Sequence, residues 1–520
     1  MPQGPVEFNN TPGDVLVPAF MVEFNAGPPN YSGTSRQVIL GRALPGSPAA
    51  LRGLPINVGS QNPNALCGLG SIGAEQILYA RQQNPLGEML FIDATPQVGA
   101  SPAASVGALS FAGTATATGT ITRYLGGERY DVNVGIGDTA ATVAAAFVAK
   151  FAQGYTKFNV RMLAPVSGAV KAGGTATATD VTLTARHPGT ETNGWRIEEG
   201  LDGDEMEVPG ITVAITPMAS GTGDVDLAAV LAKLGGQNAD WLCGPYSTTA
   251  QLNVVRDFLS DAGSGRSSPL VGLLGHYTTH NHGNLSTQTT FGQTRNDRHV
   301  TLAGIHQWPQ AAWCISASLG GEIAFLKNLG RSLAVAVEIA RPMQTRVLRG
   351  LRQPKDPNAI FAQADRDSLL RNGISTFTAT ADGQMACDRI VTTYRVNPSG
   401  LSDRTWLDIE DIAIAAYSAR YFKNKIAGTY PRSAFMEDNP ANLQGVVTPT
   451  DLEQISVHAA TDLHRAGIIR QLDLFVQNMR IFPDYANDRA NYYLPITAAA
   501  QLRINAVNQT SYLDQSDQGI

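Results

Sequence analysis

The stretch Asp224-Val225-Asp226-Leu227-Ala228-Ala229-Val230-Leu231-Ala232-Lys233-Leu234-Gly235-Gly236, followed by Trp241-Leu242-Cys243, decides the fold class of this 520-residue chain. Val225, Leu227, Val230, Leu231 and Leu234 recur at helical spacing, Asp224 stands where an N-cap belongs, and the glycine pair stops the helix. Trp241 to Cys243 then reads as a short strand. The pattern repeats: a helix over Thr248 to Ala262 with Leu252, Val255, Phe258 and Leu259, a strand at Leu270 to Leu274, a polar helix near Asn284 to Phe291, and a strand at His299 to Ala303. Strands separated by helices predict a parallel, doubly wound sheet. Such sheets hold ligands beyond the carboxyl ends of their strands, so enzyme chemistry would show itself here. No phosphate loop and no G-x-G-x-x-G is present.

Upstream, Arg36-Gln37-Val38-Ile39-Leu40-Gly41 reads as a buried strand followed by the turn Pro45-Gly46-Ser47-Pro48. Gly73 to Gln82 reads as a short amphipathic helix carrying Ile77 and Leu78, and Met89 to Ile92 as another buried strand. From about 99 to 220 the composition shifts to Ala, Gly, Thr and Val, as in Gly113-Thr114-Ala115-Thr116-Ala117-Thr118-Gly119. Within it, Thr120 to Leu125 and Glu128 to Val134 flank Gly126-Gly127, a hairpin signal. Asp138 is placed to cap a helix over Thr139 to Phe151. Strands are expected at Phe158 to Leu163, Ala178 to Ala185 and Ile211 to Thr216. The whole predicts an α+β insertion, rich in strands, between two parts of a core.

Ahead of all this runs Asn10-Thr11-Pro12-Gly13-Asp14-Val15-Leu16-Val17-Pro18. Its prolines forbid a helix, and the run between them is too short to bury itself, so Val15, Leu16 and Val17 are expected to lie as an edge strand on another element. An arm of this kind suggests assembly.

With 38 basic and 44 acidic residues the net charge is −6, which offers no general attraction to nucleic acid or to an anionic membrane. Only 16% of residues are charged and 43% are hydrophobic, a surface sparse enough in charge to be partly covered. The 52 glycines and 29 prolines point to many turns and short strands. No apolar run reaches the ~18 residues of a membrane span, and Met1 to Asn10 lacks the basic start and apolar core of a signal peptide, so synthesis and assembly in a cytoplasm are expected.

Cys67, Cys243, Cys314 and Cys387 are scattered without a Cys-x-x-Cys pair, which excludes the usual zinc and thioredoxin patterns. All four are expected to be reduced and packed as small hydrophobes; Cys67, in the loop-like Asn64-Ala65-Leu66-Cys67-Gly68-Leu69-Gly70, and Cys387, at a hairpin, are the candidates to be reachable and to form a disulfide between subunits. His276, His280 and His282, with Asp297, His299, His306 and Cys314 downstream, are the one cluster able to suggest metal or nucleophilic chemistry. The spacing suits neither. Gly275, Gly283 and Tyr277-Thr278-Thr279 argue for a solvated loop, and Arg298-His299 for the lead-in to a strand.

The strongest signal lies at Leu369-Leu370-Arg371-Asn372-Gly373-Ile374-Ser375-Thr376-Phe377: a helix over Asp365 to Arg371 stopped by Gly373, a strand from Ile374 to Thr380, the turn Asp382-Gly383, and a return strand from Met385 to Thr393. This block, with Asp388-Arg389-Ile390-Val391-Thr392-Thr393-Tyr394, Trp406-Leu407-Asp408-Ile409 and Tyr430-Pro431-Arg432 in the same order, resembles the C-terminal part of the contractile bacteriophage tail sheath proteins. Arg295-Asn296-Asp297-Arg298-His299-Val300-Thr301, the Thr/Ala/Gly-rich insertion and the opening arm resemble the Mu-like branch of that family.

The resemblance implies a structural protein without cofactor or catalytic residue, one that forms six-subunit rings stacked helically around a tail tube and shortens to drive the tube through a bacterial envelope. The implied partners are further copies of itself, the tube protein, and baseplate and tail terminator proteins, with no nucleic acid and no membrane insertion; the implied location is the virion tail. Arms at both ends would add strands to neighbours. At the C-terminal end, Ala500 to Asn508 alternates Leu502, Ile504 and Ala506 against Arg503 and Asn505, a strand with one apolar face. The expected architecture is α/β and α+β multidomain: an arm at 1–30, a first part of the core at 31–98, the insertion at 99–220, an α/β core at 221–360, a sheath domain at 361–495 and an arm at 496–520. A tailocin or related injection system is the neighbouring alternative, and an α/β enzyme using His276 to His306 the distant one.

Overall fold

The computed structural model describes residues 35–95, 97–170, 179–269 and 271–509, so the opening arm with Val15, Leu16 and Val17 lies outside the described residues. Six parallel strands carry the architecture: β1 (Arg36–Gly41), β2 (Glu88–Asp93), β3 (Trp241–Cys243), β4 (His276–His282), β5 (Val300–Ile305) and β6 (Ile374–Ala379). They lie in the order β2-β1-β3-β4-β5-β6. Antiparallel strands extend the sheet at both edges, Ile56–Asn57 beside β2, then Gln384–Arg389 and Val347–Arg352 beyond β6, to make a nine-stranded sheet.

The helices that matter below are α1 (Ile72–Gln83), α2 (Ala140–Gln153), α3 (Leu227–Ala232), α4 (Thr249–Leu259), α5 (Leu285–Gln293), α6 (Ala312–Leu326), α7 (Gln363–Arg371), α8 (Ile409–Thr429) and α9 (Pro449–Arg465). Along each strand the side chains alternate between two cores. Ile39, Phe91, Trp241, Cys243 and Ala303 join the layer of α1 and α6. Val38, Leu40, Leu90, Leu242, Tyr277 and Val300 join that of α3 and α4. A parallel sheet covered on both faces has apolar residues at successive positions, which is why β1 and β2 read as continuous runs rather than as alternation.

Several boundaries differ from the sequence reading, each for a local reason. Helix α1 is not amphipathic: Ile72 through Ala80 are all buried, because the helix is wedged between the sheet and α6. Glycine permits that approach. A Cβ on Gly321 would sit 2.8 Å from the Ala80 carbonyl oxygen, and one on Gly320 2.5 Å from the Cys243 Cβ. The cap of α3 is Asp226, whose side chain accepts from the Ala229 amide, while Asp224 belongs to the strand Thr222–Val225. Likewise Thr139, not Asp138, caps α2. The strand expected at Leu270 to Leu274 is absent among the described residues, and the segment read as a histidine loop is β4, a central strand of the sheet.

Between β2 and β3 the chain builds smaller sheets of its own. The long strand Gln97–Gly113 pairs antiparallel with Asp180–Pro188 and Ile211–Ala219, and Gly119–Leu125 pairs with Glu128–Val134 and Ile197–Glu198. Gly126 and Gly127 both adopt positive φ, as the hairpin reading requires. Helix α2 lays Phe147 and Phe151 against Phe111 and Tyr130, with ring centroids 5.3 and 5.0 Å apart. At the C-terminal end, α8 packs on α9 through Tyr421, whose hydroxyl donates to Asp462 at 2.9 Å, and Lys425, 3.2 Å from the same carboxylate.

Candidate assembly site

The strand order reverses between β1 and β3, the place where an open parallel sheet offers a crevice for a ligand. Here that crevice receives an ion pair. Arg42, directly after β1, lies 2.8 Å from Glu191 of the segment between the sheets, and both side chains are almost wholly buried. A pocket of about 230 Å³ remains alongside, lined by Tyr246, Thr248, Glu191, His280, His282 and Gln310.

The histidines are structural members of β4. His276 is buried, its Nε2 lies 2.9 Å from the Thr301 hydroxyl, and its ring packs 5.9 Å from that of Trp241. Burial pulls the pKa of His276 and of His280 down to about 3, and lowers that of His282. All three are therefore neutral at ordinary pH. The downstream residues make bonds of their own: His299 lies near His276 but bonds Asp261 at 3.1 Å and the Gly275 carbonyl at 3.2 Å, His306 stacks on Phe361, and the Cys314 thiol donates to Glu75. Burial raises the Cys314 pKa well above its ordinary value, the opposite of what a nucleophile needs. Among the described residues the one acidic grouping close enough to share an ion is Asp202, Asp204 and Glu205, which Arg129 neutralises at 3.1 and 3.3 Å and Arg352 also pairs.

All four cysteines are buried and free, as expected of packed small hydrophobes, and the expected reachability of the two disulfide candidates is corrected. Cys67 ends the helix Pro63–Cys67 rather than occupying a loop, and Cys387 lies within the strand Gln384–Arg389; both are buried and their thiols are pushed well up by desolvation. Cys67 was misread because a five-residue helix flanked by Asn62-Pro63 and Gly68 has the composition of a loop.

The C-terminal segment is organised by charge. Thr497–Ala498 pairs antiparallel with Ile469–Arg470, and the Ala499 amide donates to the Ile468 carbonyl at 3.0 Å. Arg503 then reaches back to the first turn of α8, 2.8 Å from Glu410 and 3.2 Å from Asp408. Asp408 is also gripped by Arg389 through two bonds of 2.9 and 2.8 Å. Glu410, fully buried, accepts from the Met343 amide at 2.9 Å and faces Lys327 at 3.6 Å. Burial lowers the Lys327 pKa to about 8 and raises that of the neighbouring Asp411 to about 6.

Arg503 is held against the body, while Leu502 and Ile504 are 73% and 82% exposed, and Ala506 is exposed too. Among the described residues no strand forms beyond Ala498, and the segment Ala500 to Asn508, expected as a strand, pairs with none of them. The hairpin Arg480–Asp484 with Arg489–Tyr493 buries Ile481 and exposes Phe482 and Tyr493. Among the described residues neither outer edge of this hairpin pairs with a further strand.

Residues 220–393 match the phage tail sheath protein central domain. Over 512 residues, 96% of this chain and 98% of the relative, the chain is 27% identical to the Mu-like prophage FluMu tail sheath protein of Haemophilus influenzae. Its fold is similar to that of the sheath tail protein of Desulfitobacterium hafniense, at TM-score 0.48 and 11% identity over 93% of this chain and 97% of that one. The sheath tail protein Lin1278 of Listeria innocua gives TM-score 0.44 and 10% identity over 90% and 93%. Residues 220–393 thus match the central domain of the phage tail sheath family, within a chain that aligns nearly end to end with a Mu-like tail sheath protein.

Proposed function

We propose that this chain is the sheath subunit of a contractile tail, stacking as six-membered rings around a tail tube and shortening to push that tube through a bacterial envelope. The observation that carries the reading is the root of the C-terminal segment. A chain that presents Leu502 and Ile504 to solvent while Arg503 ties it to α8 is prepared to give its apolar side to another subunit. The unpaired edges of the Arg480–Tyr493 hairpin are suitable acceptors, because strand addition draws its affinity from main-chain hydrogen bonds. Val15 to Val17 would contribute the second exchanged strand, the tube, baseplate and terminator proteins being the remaining partners.

Contraction of such an assembly needs no bound fuel. A further ~200 Å² of apolar contact per subunit releases roughly 5 kcal/mol at about 25 cal/mol per Å², multiplied over every ring. The same subunit would serve a phage tail or a tailocin, since both require these contacts. An enzyme built on His276 to His306 gains no support from strand histidines that are neutral at ordinary pH and whose neighbours make their own bonds. Electron microscopy tests the reading: the full chain is expected to form hollow striated tubes, and deletion of 500–520 to leave a folded, soluble core, lowered in melting by the loss of the Arg503 pairs, and no tubes. Normal tubes from the truncated chain would refute the exchange.

A further inference from the structure

The pocket of about 230 Å³ at the switch point lies beyond the carboxyl ends of three parallel strands, and the residues that leave those strands line it: Thr248 after β3, His280 and His282 at the end of β4, and Trp308 after β5. Two helices begin at its wall. The first turn of α4, an 11-residue helix, borders it through Gln251, and that of α6, a 15-residue helix, through Ala312 and Ile315. Each amino end brings the positive pole of a helix dipole to the same cavity. The two ends differ in how their amides are satisfied. Thr248 and Gln251 close α4 with a capping box, whereas α6 has Ala311 at its N-cap and receives no side-chain bond there. The Cys314 and Ile315 amides both donate to the Ala311 carbonyl, at 3.0 and 3.1 Å, and those of Ala312 and Trp313 find no acceptor among the described residues. A side-chain donor shares this end of the cavity. Trp308 is 3% exposed and packs edge-on against Phe377, with ring centres 5.1 Å apart, and its indole N–H has no acceptor among the described residues. Donors this deeply placed are almost always bonded, so a cluster of free ones calls for a partner that sits in the cavity.

We propose that this cavity binds a small oxyanion, a phosphate or carboxylate group, received by the open amide end of α6 and the indole N–H of Trp308. Both are donors without a competing acceptor, which is what an oxyanion needs. The Glu191 carboxylate on the same wall does not oppose it, because Arg42 answers its charge at 2.8 Å. His280 and His282 add hydrogen-bonding nitrogens rather than charge. The volume suits one small ligand, well below the size of a cofactor pocket. A bound oxyanion would also act as a tie. Thr190, Glu191 and Gly194 on one wall come from the segment between β2 and β3, while the donors belong to the parallel core, so an occupied cavity fastens that segment to the sheet. The inference concerns the single subunit and stands whether or not the chain builds sheaths.

The test uses the full chain and two probes titrated separately at constant ionic strength against chloride: inorganic phosphate, followed by phosphorus NMR line broadening, and acetate, followed by that of its methyl protons. Saturable binding of one or the other is expected, and which of them saturates identifies the ligand as phosphate-bearing or carboxylate-bearing. Trp308→Phe removes the indole donor while keeping a ring against Phe377, and is expected to weaken the binding roughly tenfold. Ala311→Ser gives α6 the cap it lacks, so it is expected to weaken binding as well while raising the melting temperature. Ala311 is itself buried, and should its serine variant fail to fold, Trp308→Phe decides alone. Failure of both probes to saturate would overturn the proposal. Saturation with the same affinity in the unaltered chain and in Trp308→Phe would overturn it too, since the oxyanion would then sit elsewhere on the molecule.

Discussion

Glu75 is the residue at which a change of one atom gives the most decisive test of how this molecule is held together. It lies on α1, fully enclosed, with Tyr155 donating to one carboxylate oxygen and Trp313 Nε1 to the other at 2.7 Å, and Cys314 adding a weak bond at 3.6 Å. The carboxyl thus joins α1 and α6 of the core to the strand Tyr155–Lys157. Burial outweighs these donors and raises its pKa from 4.5 to about 7, with Glu128 adding to the rise. Folded protein therefore holds a proton on Glu75 that the unfolded chain releases near pH 4.5. The stability this contributes is complete below about pH 4.5 and is lost as the pH rises through 7. The interval between the two values corresponds to about 3 kcal/mol. Glu75→Gln removes the titration while keeping the bonds, because the amide oxygen still accepts from Trp313 and the amide nitrogen can donate to the Tyr155 oxygen. Thermal melting of both proteins at pH 5 and pH 8 checks it. The two should melt close together at pH 5, and the variant should be the more stable at pH 8 by most of that amount. A difference equal at the two pH values would refute the argument, since it would mean that Glu75 does not change protonation between the folded and unfolded states.

Two further outcomes follow from packing. His276→Ala is expected to lower stability by about 2 kcal/mol or more, by opening a cavity against Trp241 and orphaning the Thr301 hydroxyl, while His282→Ala, at an exposed position, leaves melting unchanged; equal effects would show that β4 is not the buried strand described. Gly321→Leu forces side-chain atoms against the Ala80 backbone and is expected to cost about 3 kcal/mol or to prevent folding, whereas Gly428→Leu, with nothing within 4 Å, should be neutral or stabilising by circular dichroism melting.

The chain's amino-acid order by itself determined the class of its core. Alternating strand and helix signals from Leu227 to Ile305, and the helix, glycine stop and hairpin from Gln363 to Arg389, are written in neighbouring residues, because helix periodicity, caps and tight turns are local properties. Even the glycine pair at 126 and 127 announced its turn. Where the reading failed, the deciding partner was far along the chain. Leu270 to Leu274 had the apolarity of a strand, yet the sheet took His276 to His282, since Trp241 and Thr301 on the adjoining strands supply ring contact and hydrogen bonding that make a histidine strand buriable. The sequence showed one apolar face from Leu502 to Ala506 without saying what Arg503 pairs with; Glu410 and Asp408, more than ninety residues earlier, hold it inward and leave Leu502 and Ile504 outside. Burial of a polar side chain costs free energy unless its bonds are replaced, and only the tertiary structure decides which residues are brought near enough to replace them.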